Sequence, residues 1–448
     1  MLHYTVSTTL SPPGIRRLRY LCGYLNEHPL LPPGVRFGTG EHAPSEARVI
    51  AYGKQTAKAE LSVCCTGQLQ AVHHRELDPS VAAELIRVFR TKTCAPDLTR
   101  LDLFYVLFFF LSGAEHYHLP AAELDQHGRP DENREWLKRH QLHRIPLLDR
   151  LVVHFFKQLQ LPVVSRPTRV DTSHDIDFLR RYPTAWSFVR TSGRLLLRDR
   201  NWTGFMKLLR RYPAIRAGRL PDPYLNFDWL LTEGNFALRS IYFLVGGDTP
   251  FEGHYRPDDP LLPGILQQAQ QSGYRIGLHP SYDSSRVPQR IAAEQQILED
   301  LLNRPVRISR QHFLRYRYPH TWRELAQLGI EEDASLGYTK DFGFRAGTGF
   351  PFRPYDPERE EELPLLVRPL VLMDIGLIRA ADGDLQLADH LAAEFWNENR
   401  FNTQVSVNFH NSIFDETTYD LPRLRAIYQR IGGWDEGDDS IQNPASNF

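Results

Sequence analysis

Four segments of the chain end in side chains that can hold a cation or move a proton. The first is Ser173-His174-Asp175-Ile176-Asp177. If the strand-like run before it continues, alternation puts Asp175 and Asp177 on one face and Ile176 on the other. Two carboxylates converging there suit a divalent cation plus a general base. Without a cation, one of them would be pushed towards taking up a proton. The competing reading is a helix cap or a turn, where Asp is a standard residue.

The second segment is Gly277-Leu278-His279-Pro280-Ser281-Tyr282-Asp283. Proline is well tolerated at the first helical position. If Pro280 opens a helical turn, His279 and Asp283 stand at i and i+4 and can both face one metal. In the alternative, His279 caps the helix and Asp283 is solvated. In the third segment, Ser309-Arg310-Gln311-His312-Phe313, the arginine can hold a carboxylate base ionised by a charge-assisted hydrogen bond, or lie on the surface. His312 either faces the same site or packs. The fourth, Val407-Asn408-Phe409-His410-Asn411, offers His410 as a general acid, because an unperturbed imidazole titrates near neutrality. A satisfied core histidine is the alternative.

Other residues extend this set. Asp333 is placed to orient a catalytic histidine, or is a solvated loop acid. The glycine-rich run 343–350 lacks the Gly-Lys-Ser/Thr of a phosphate loop. It reads as a shaped pocket loop with Arg345 as a substrate contact, or as an ordinary turn. His312, Tyr282 and Asn411 are further candidate substrate contacts.

These residues need elements to position them. Beyond residue 165, strand-like and helix-like segments alternate: strands at 168–173, 239–245, 275–278, 306–309, 367–373 and 404–409, helices at 223–236, 261–272, 288–302 and 320–328. Such alternation predicts an α/β sheet or barrel with ligands at the C-terminal strand ends. Residues 1–165 form a separate, smaller α/β unit, with helices expected at 14–27, 81–90, 101–112 and 146–159 and strands at 48–52 and 59–65. The linker-like run around residue 161 sets the boundary, leaving 166–448 as the second unit.

The bulk numbers fit two folded units: 448 residues, 42% hydrophobic and 24% charged. The net charge is −1, which does not call for nucleic acid or an anionic membrane. The cysteines, Cys22, Cys64, Cys65 and Cys94, contain no Cys-x-x-Cys and read as free thiols in a reducing compartment. The N-terminus has no basic stretch followed by an apolar run, so the expectation is a cytoplasmic protein. The most apolar run, 101–111, is too short for a membrane span, which needs about 20 residues.

In this order, the four segments and Asp333 resemble the polysaccharide deacetylase superfamily, carbohydrate esterase family 4. The likeness covers residues 166–415. It implies a distorted (β/α)7 barrel and a divalent metal, zinc foremost, used to remove N- or O-acetyl groups from a sugar or glycan. The wording of the motifs is similar to a divergent bacterial branch with an extra N-terminal domain of uncharacterised role. Residues 103–112 and 125–129 resemble that domain.

By this resemblance Asp175 is the general base and Asp177 the metal aspartate, one residue later than in the usual adjacent pair. His279 matches the first metal histidine, and Asp283 stands where the second is expected. Arg310 matches the arginine that holds the base, His312 replaces the usual proline, Asp333 is the orienting acid and His410 the general acid. An Asp, His and Asp set is hard and should tolerate other divalent ions. Two other readings stay open: a non-catalytic glycan-binding module, and a hydrolase of another C–N bond. The N-terminal unit would present a carrier-linked glycan or mediate dimerisation.

Overall fold

The computed structural model describes residues 2–40, 46–53, 58–71, 75–91, 95–252 and 255–434. Cys94 and the stretch 435–448 lie outside the described residues. The opening unit carries a parallel four-stranded sheet of β1 (Leu2–Thr8), β2 (Val35–Thr39), β3 (Arg48–Tyr52) and β4 (Ala59–Val63), in the order β2-β1-β3-β4. Helix Pro12–Glu27 packs on it, and the all-buried helix Leu103–Leu111 fills the core beneath. A run hydrophobic all round, as 103–111 is, has to be buried on every side.

A second, eight-stranded parallel sheet carries the candidate residues. Its strands are β5 (Arg169–Ile176), β6 (Leu238–Phe243), β7 (Arg275–Leu278), β8 (Ile308–Ser309), β9 (Glu332–Asp333), β12 (Leu366–Val367), β13 (Leu372–Met373) and β14 (Gln404–Asn408), in the order β12-β9-β8-β7-β6-β5-β14-β13. A short hairpin, β10 (Tyr355–Asp356) and β11 (Glu361–Glu362), stands apart. The sheet curls strongly. Arg310, at the end of β8, reaches Asp175 on β5 at 2.8 Å although β6 and β7 lie between. Arg368 likewise bridges Asp171 on β5 and Glu332 on β9, and Arg275 on β7 also pairs with Glu332. Alternation puts Asp171, Ser173 and Asp175 on the inner face of β5, and their charges are met by arginines across the interior.

The run 367–373 is expected to be one strand, but residues 366–373 form two. The first pairs with β9 and the second with β14. Between them Arg368 N donates to Asp333 O and Val371 N to Ser406 O, while Pro369 has no N–H to offer either neighbour. One stretch of chain therefore joins the two edges of the curled sheet. The expected helix at 223–236 is also shortened, to Phe227–Leu230.

The outer face of β5, β13 and β14 packs through Val170, Leu372, Val405 and Val407 under helices Leu385–Glu398 and Leu421–Gly432. The opening unit shares a continuous apolar core with the other side of the molecule. Tyr20 packs on Tyr355, and His28 on Phe350.

Candidate metal centre

Asp175 extends the inner face of β5 to the C-terminal edge and is fully buried. Its carboxylate accepts from Arg310 Nη1 at 2.8 Å and from Asn408 Nδ2 at 3.0 Å. Arg310 is buried too, and is held by Ser173 Oγ at 2.9 Å, by Ala334 O at 3.0 Å and by the Tyr242 ring beneath it at 4.5 Å. Gly277 makes room for that ring: a Cβ there would stand 2.6 Å from a Tyr242 ring carbon. Burial opposes ionisation of Asp175, but Arg310, His279 and His410 outweigh it and keep its carboxyl below the usual range.

Asp177, two residues on, meets two histidines. Its Oδ1 lies 3.2 Å from His279 Nε2 and 3.4 Å from His312 Nδ1, and these nitrogens are 3.0 Å apart. His279 Nδ1 donates to Arg310 O at 2.6 Å, and His312 Nε2 donates to Phe251 O at 3.0 Å. These backbone carbonyls fix the tautomers, leaving a lone pair of each imidazole directed at Asp177. Asp177 Oδ1 is itself buried, with no hydrogen-bond donor among the described residues. Three electron-pair donors facing one another, two of them nitrogens oriented from behind, suit a small divalent cation. Burial favours the neutral ring, but Asp175 and Asp177 raise the proton affinity of His279 above the ordinary. The same negative field would hold a metal ion.

Asp283 is not in this cluster. Pro280 opens no helix: turns run through 282–286 and the next helix starts at Pro288. Asp283 is therefore not stacked one helical turn above His279, and its half-exposed carboxylate faces Arg315 at 3.6 Å. His312, expected as a substrate contact, fills that third corner instead. It does so because Phe313 and Leu314 adopt left-handed backbone angles, φ 59° and 51°, which turn the chain sharply just after it.

His410 follows β14. Its Nε2 is 3.8 Å from both Asp175 Oδ2 and Asp177 Oδ2. Behind it stands Asp374, which the sequence reading did not single out. The Asp374 carboxylate accepts from His410 N at 2.7 Å and from Nδ1 at 2.9 Å. Burial opposes protonation of His410, yet Asp374, with Asp177 and Asp175 behind it, lifts its pKa to about 10. The available signal was an acid directly after strand residues 372–373, at the first position of the helix Asp374–Ala380.

Asp333 does not reach His410. It accepts from Ser309 Oγ, Trp322 Nε1 and Ser335 Oγ, and so ties β8 and β9 together below Arg310. Arg345 is sealed inside, paired with Glu135 and donating to Gly337 O at 2.7 Å. Its side chain is only 1% exposed, and these contacts are made within the protein, away from the Asp177, His279 and His312 cluster. Asn411 is also buried, donating to Phe178 O and Tyr224 O. Tyr282 stacks on Phe251, whose carbonyl holds His312, and its hydroxyl meets His127 Nδ1 at 2.8 Å.

His127 belongs to the opening unit. Its ring lies 4.9 Å from Phe313, Arg129 donates to Phe313 O at 2.8 Å, and Arg315 donates back to His127 O at 2.8 Å. The polar loop 125–129 thus braces the turn that carries His312.

No protein-family model and no curated protein matches the sequence. Among solved structures, the chain is similar to a "putative polysaccharide deacetylase" from Mycobacterium smegmatis, at 13% identity and a TM-score of 0.34, covering 60% of this chain and 85% of that one. It is similar to the same degree to a 4-alpha-glucanotransferase from Thermococcus litoralis, at 10% identity and a TM-score of 0.34, covering 61% of this chain and 38% of that one. Likeness this weak, shared by two different activities, carries no argument, and the reading of function rests on the site itself.

Proposed function

We propose that the chain is a metal-dependent hydrolase that removes an acyl group, acetyl foremost, from a sugar or glycan, on a distorted (β/α)7 barrel. The observation that carries this is the convergence of Asp177, His279 and His312 beside a second carboxylate, Asp175, and a carboxylate-backed histidine, His410. Asp177, His279 and His312 would hold the cation, and zinc suits two imidazoles and one carboxylate. When bound, such an ion supplies a Lewis acid, which polarises an acyl carbonyl and makes water easier to deprotonate.

The protein's own groups do the rest. Asp175, held ionised by Arg310 and Asn408, takes a proton from water. The hydroxide adds to the acyl carbon, the C–N or C–O bond breaks, and the departing atom takes the proton held at His410 Nε2. Asp374 on Nδ1 keeps that proton on the nitrogen facing the site. The products are the free amine or hydroxyl and the carboxylic acid. A purely binding barrel is motivated by Asp283 in the ligand set, and His312 in that corner favours the catalytic reading over it.

The test is acetate release from N-acetylated sugars by protein loaded with stoichiometric zinc. Release should vanish in Asp175→Asn with the metal retained. Failure of the protein to take up any divalent ion would overturn the reading, as would full activity in that variant.

A further inference from the structure

Between β5 and β6 the chain makes an excursion that the barrel does not need. Helix Ala185–Gly193, a π-helical turn Arg194–Arg198 and helix Trp202–Arg216 form a hairpin. It has its own small core, in which Tyr182, Leu195 and Leu208 pack with Phe188, Phe205 and Tyr212. With those inward residues satisfied, the remaining surface should be polar throughout, but it also carries large apolar side chains. Trp186 is 71% exposed, Leu197 84% and Trp202 67%, and Val189, Met206 and Leu209 are exposed as well. On the second helix Trp202, Met206 and Leu209 stand at i, i+4 and i+7, so they form one stripe.

The same segment concentrates charge. Residues 185–219 hold nine Lys or Arg against a single acid, Asp199, in a chain whose net charge is −1. Asp199 is paired with Arg194. Arg190, Arg198, Arg200, Arg210, Arg216 and Arg219 are exposed and have no acidic partner within 4 Å among the described residues.

We infer that this hairpin docks the protein on an anionic phospholipid bilayer. Tryptophans and aliphatic side chains set among unpaired arginines match the headgroup and acyl boundary of such a surface. A nucleic acid would use the arginines and leave Leu197, Met206 and Leu209 in water. A second copy would bring two strongly cationic faces together. The hairpin is fastened to the loop that follows His410: Arg211 pairs with Glu416 at 2.8 Å, and Lys207 donates to Glu416 O at 3.3 Å. A docked hairpin therefore holds the strand ends bearing Asp175, Asp177 and His410 near the bilayer. None of this depends on the hydrolase reading.

The experiment is sedimentation of the full chain with vesicles of phosphatidylglycerol and phosphatidylcholine, against vesicles of phosphatidylcholine alone. Binding should be at least tenfold tighter to the anionic vesicles. An Arg190→Gln/Arg198→Gln/Arg210→Gln variant should lose roughly fivefold per arginine. A Trp186→Ser/Leu197→Ser/Trp202→Ser variant should lose at least about tenfold. Both variants should keep the parent's melting temperature, because the changed side chains point outward. Absence of binding to anionic vesicles overturns the inference, and so does parental binding by the serine variant. Tighter binding to an oligonucleotide, lost in the arginine variant and kept in the serine variant, would assign the surface to nucleic acid instead.

Discussion

Asp374 grips His410 twice, accepting its backbone N–H at 2.7 Å and its Nδ1–H at 2.9 Å, so the ring can present only Nε2 to the two site carboxylates. A histidine held in this way has one tautomer and a proton that is hard to remove.

The sign of the pH effect follows. The folded pKa of His410, about 10, lies above that of an unfolded histidine. In chelator-treated protein its contribution to stability is full below about pH 6.5 and is lost as pH rises through that folded value. Asp374→Asn should flatten this alkaline decline in denaturant titrations. If the protein is the proposed hydrolase, the same change in the metal-loaded form should lower kcat/KM by about a hundredfold or more and move the alkaline limb of the rate profile downward. An unchanged limb would show that another group carries the proton.

Arg310→Ala leaves the buried Asp175 carboxylate with Asn408 as its one donor among the described residues. Removing one partner of a buried ion pair costs about 3–5 kcal/mol. Urea titration should show a loss of that size, and Arg310→Lys should recover only part of it, since an ammonium cannot serve Asp175, Ser173 and Ala334 together.

His312→Ala and Asp283→Ala separate two ligand sets. The structure puts His312 beside Asp177 and His279, and Asp283 beside Arg315. His312→Ala should lose stoichiometric zinc on dialysis, measured by elemental analysis, while Asp283→Ala should keep it. The reverse pattern would restore the i and i+4 arrangement expected from sequence.

Glu135 is a structural switch at low pH. Burial opposes its charge, but Arg345 and His116 outweigh burial and hold its pKa at about 2, below the usual carboxylate value. Its contribution is therefore present above about pH 4.5 and is lost as pH falls through the folded value. Glu135→Gln should be less stable than the parent at pH 7, with a smaller further loss on acidification, read from melting temperatures across that range.

Much of the site could be read from strand ends. Asp175, Asp177, His279, Arg310 and His410 all lie at such ends, and the structure gathers them, because a curled parallel sheet brings its C-terminal edges to one place. The misplaced residues share a cause. Asp283 joins the ligand set only if a helix follows Pro280, and Asp374 is hidden because residues 367–373 read as one strand rather than a crossing between two edges. Arg345 lies in a loop rich in glycine, and only the fold reveals its partner 210 positions away, Glu135. The cationic hairpin was invisible to a net charge averaged over 448 residues.

The brace from His127 and Arg129 onto Phe313 has an evolutionary consequence. Among the described residues the opening unit adds no side chain to the Asp177, His279 and His312 cluster, yet the left-handed turn that aims His312 leans on it. A barrel joined to a foreign neighbour would lose the backing of the turn that aims His312. Substitutions at 125–129 would then be felt at a histidine almost two hundred residues downstream.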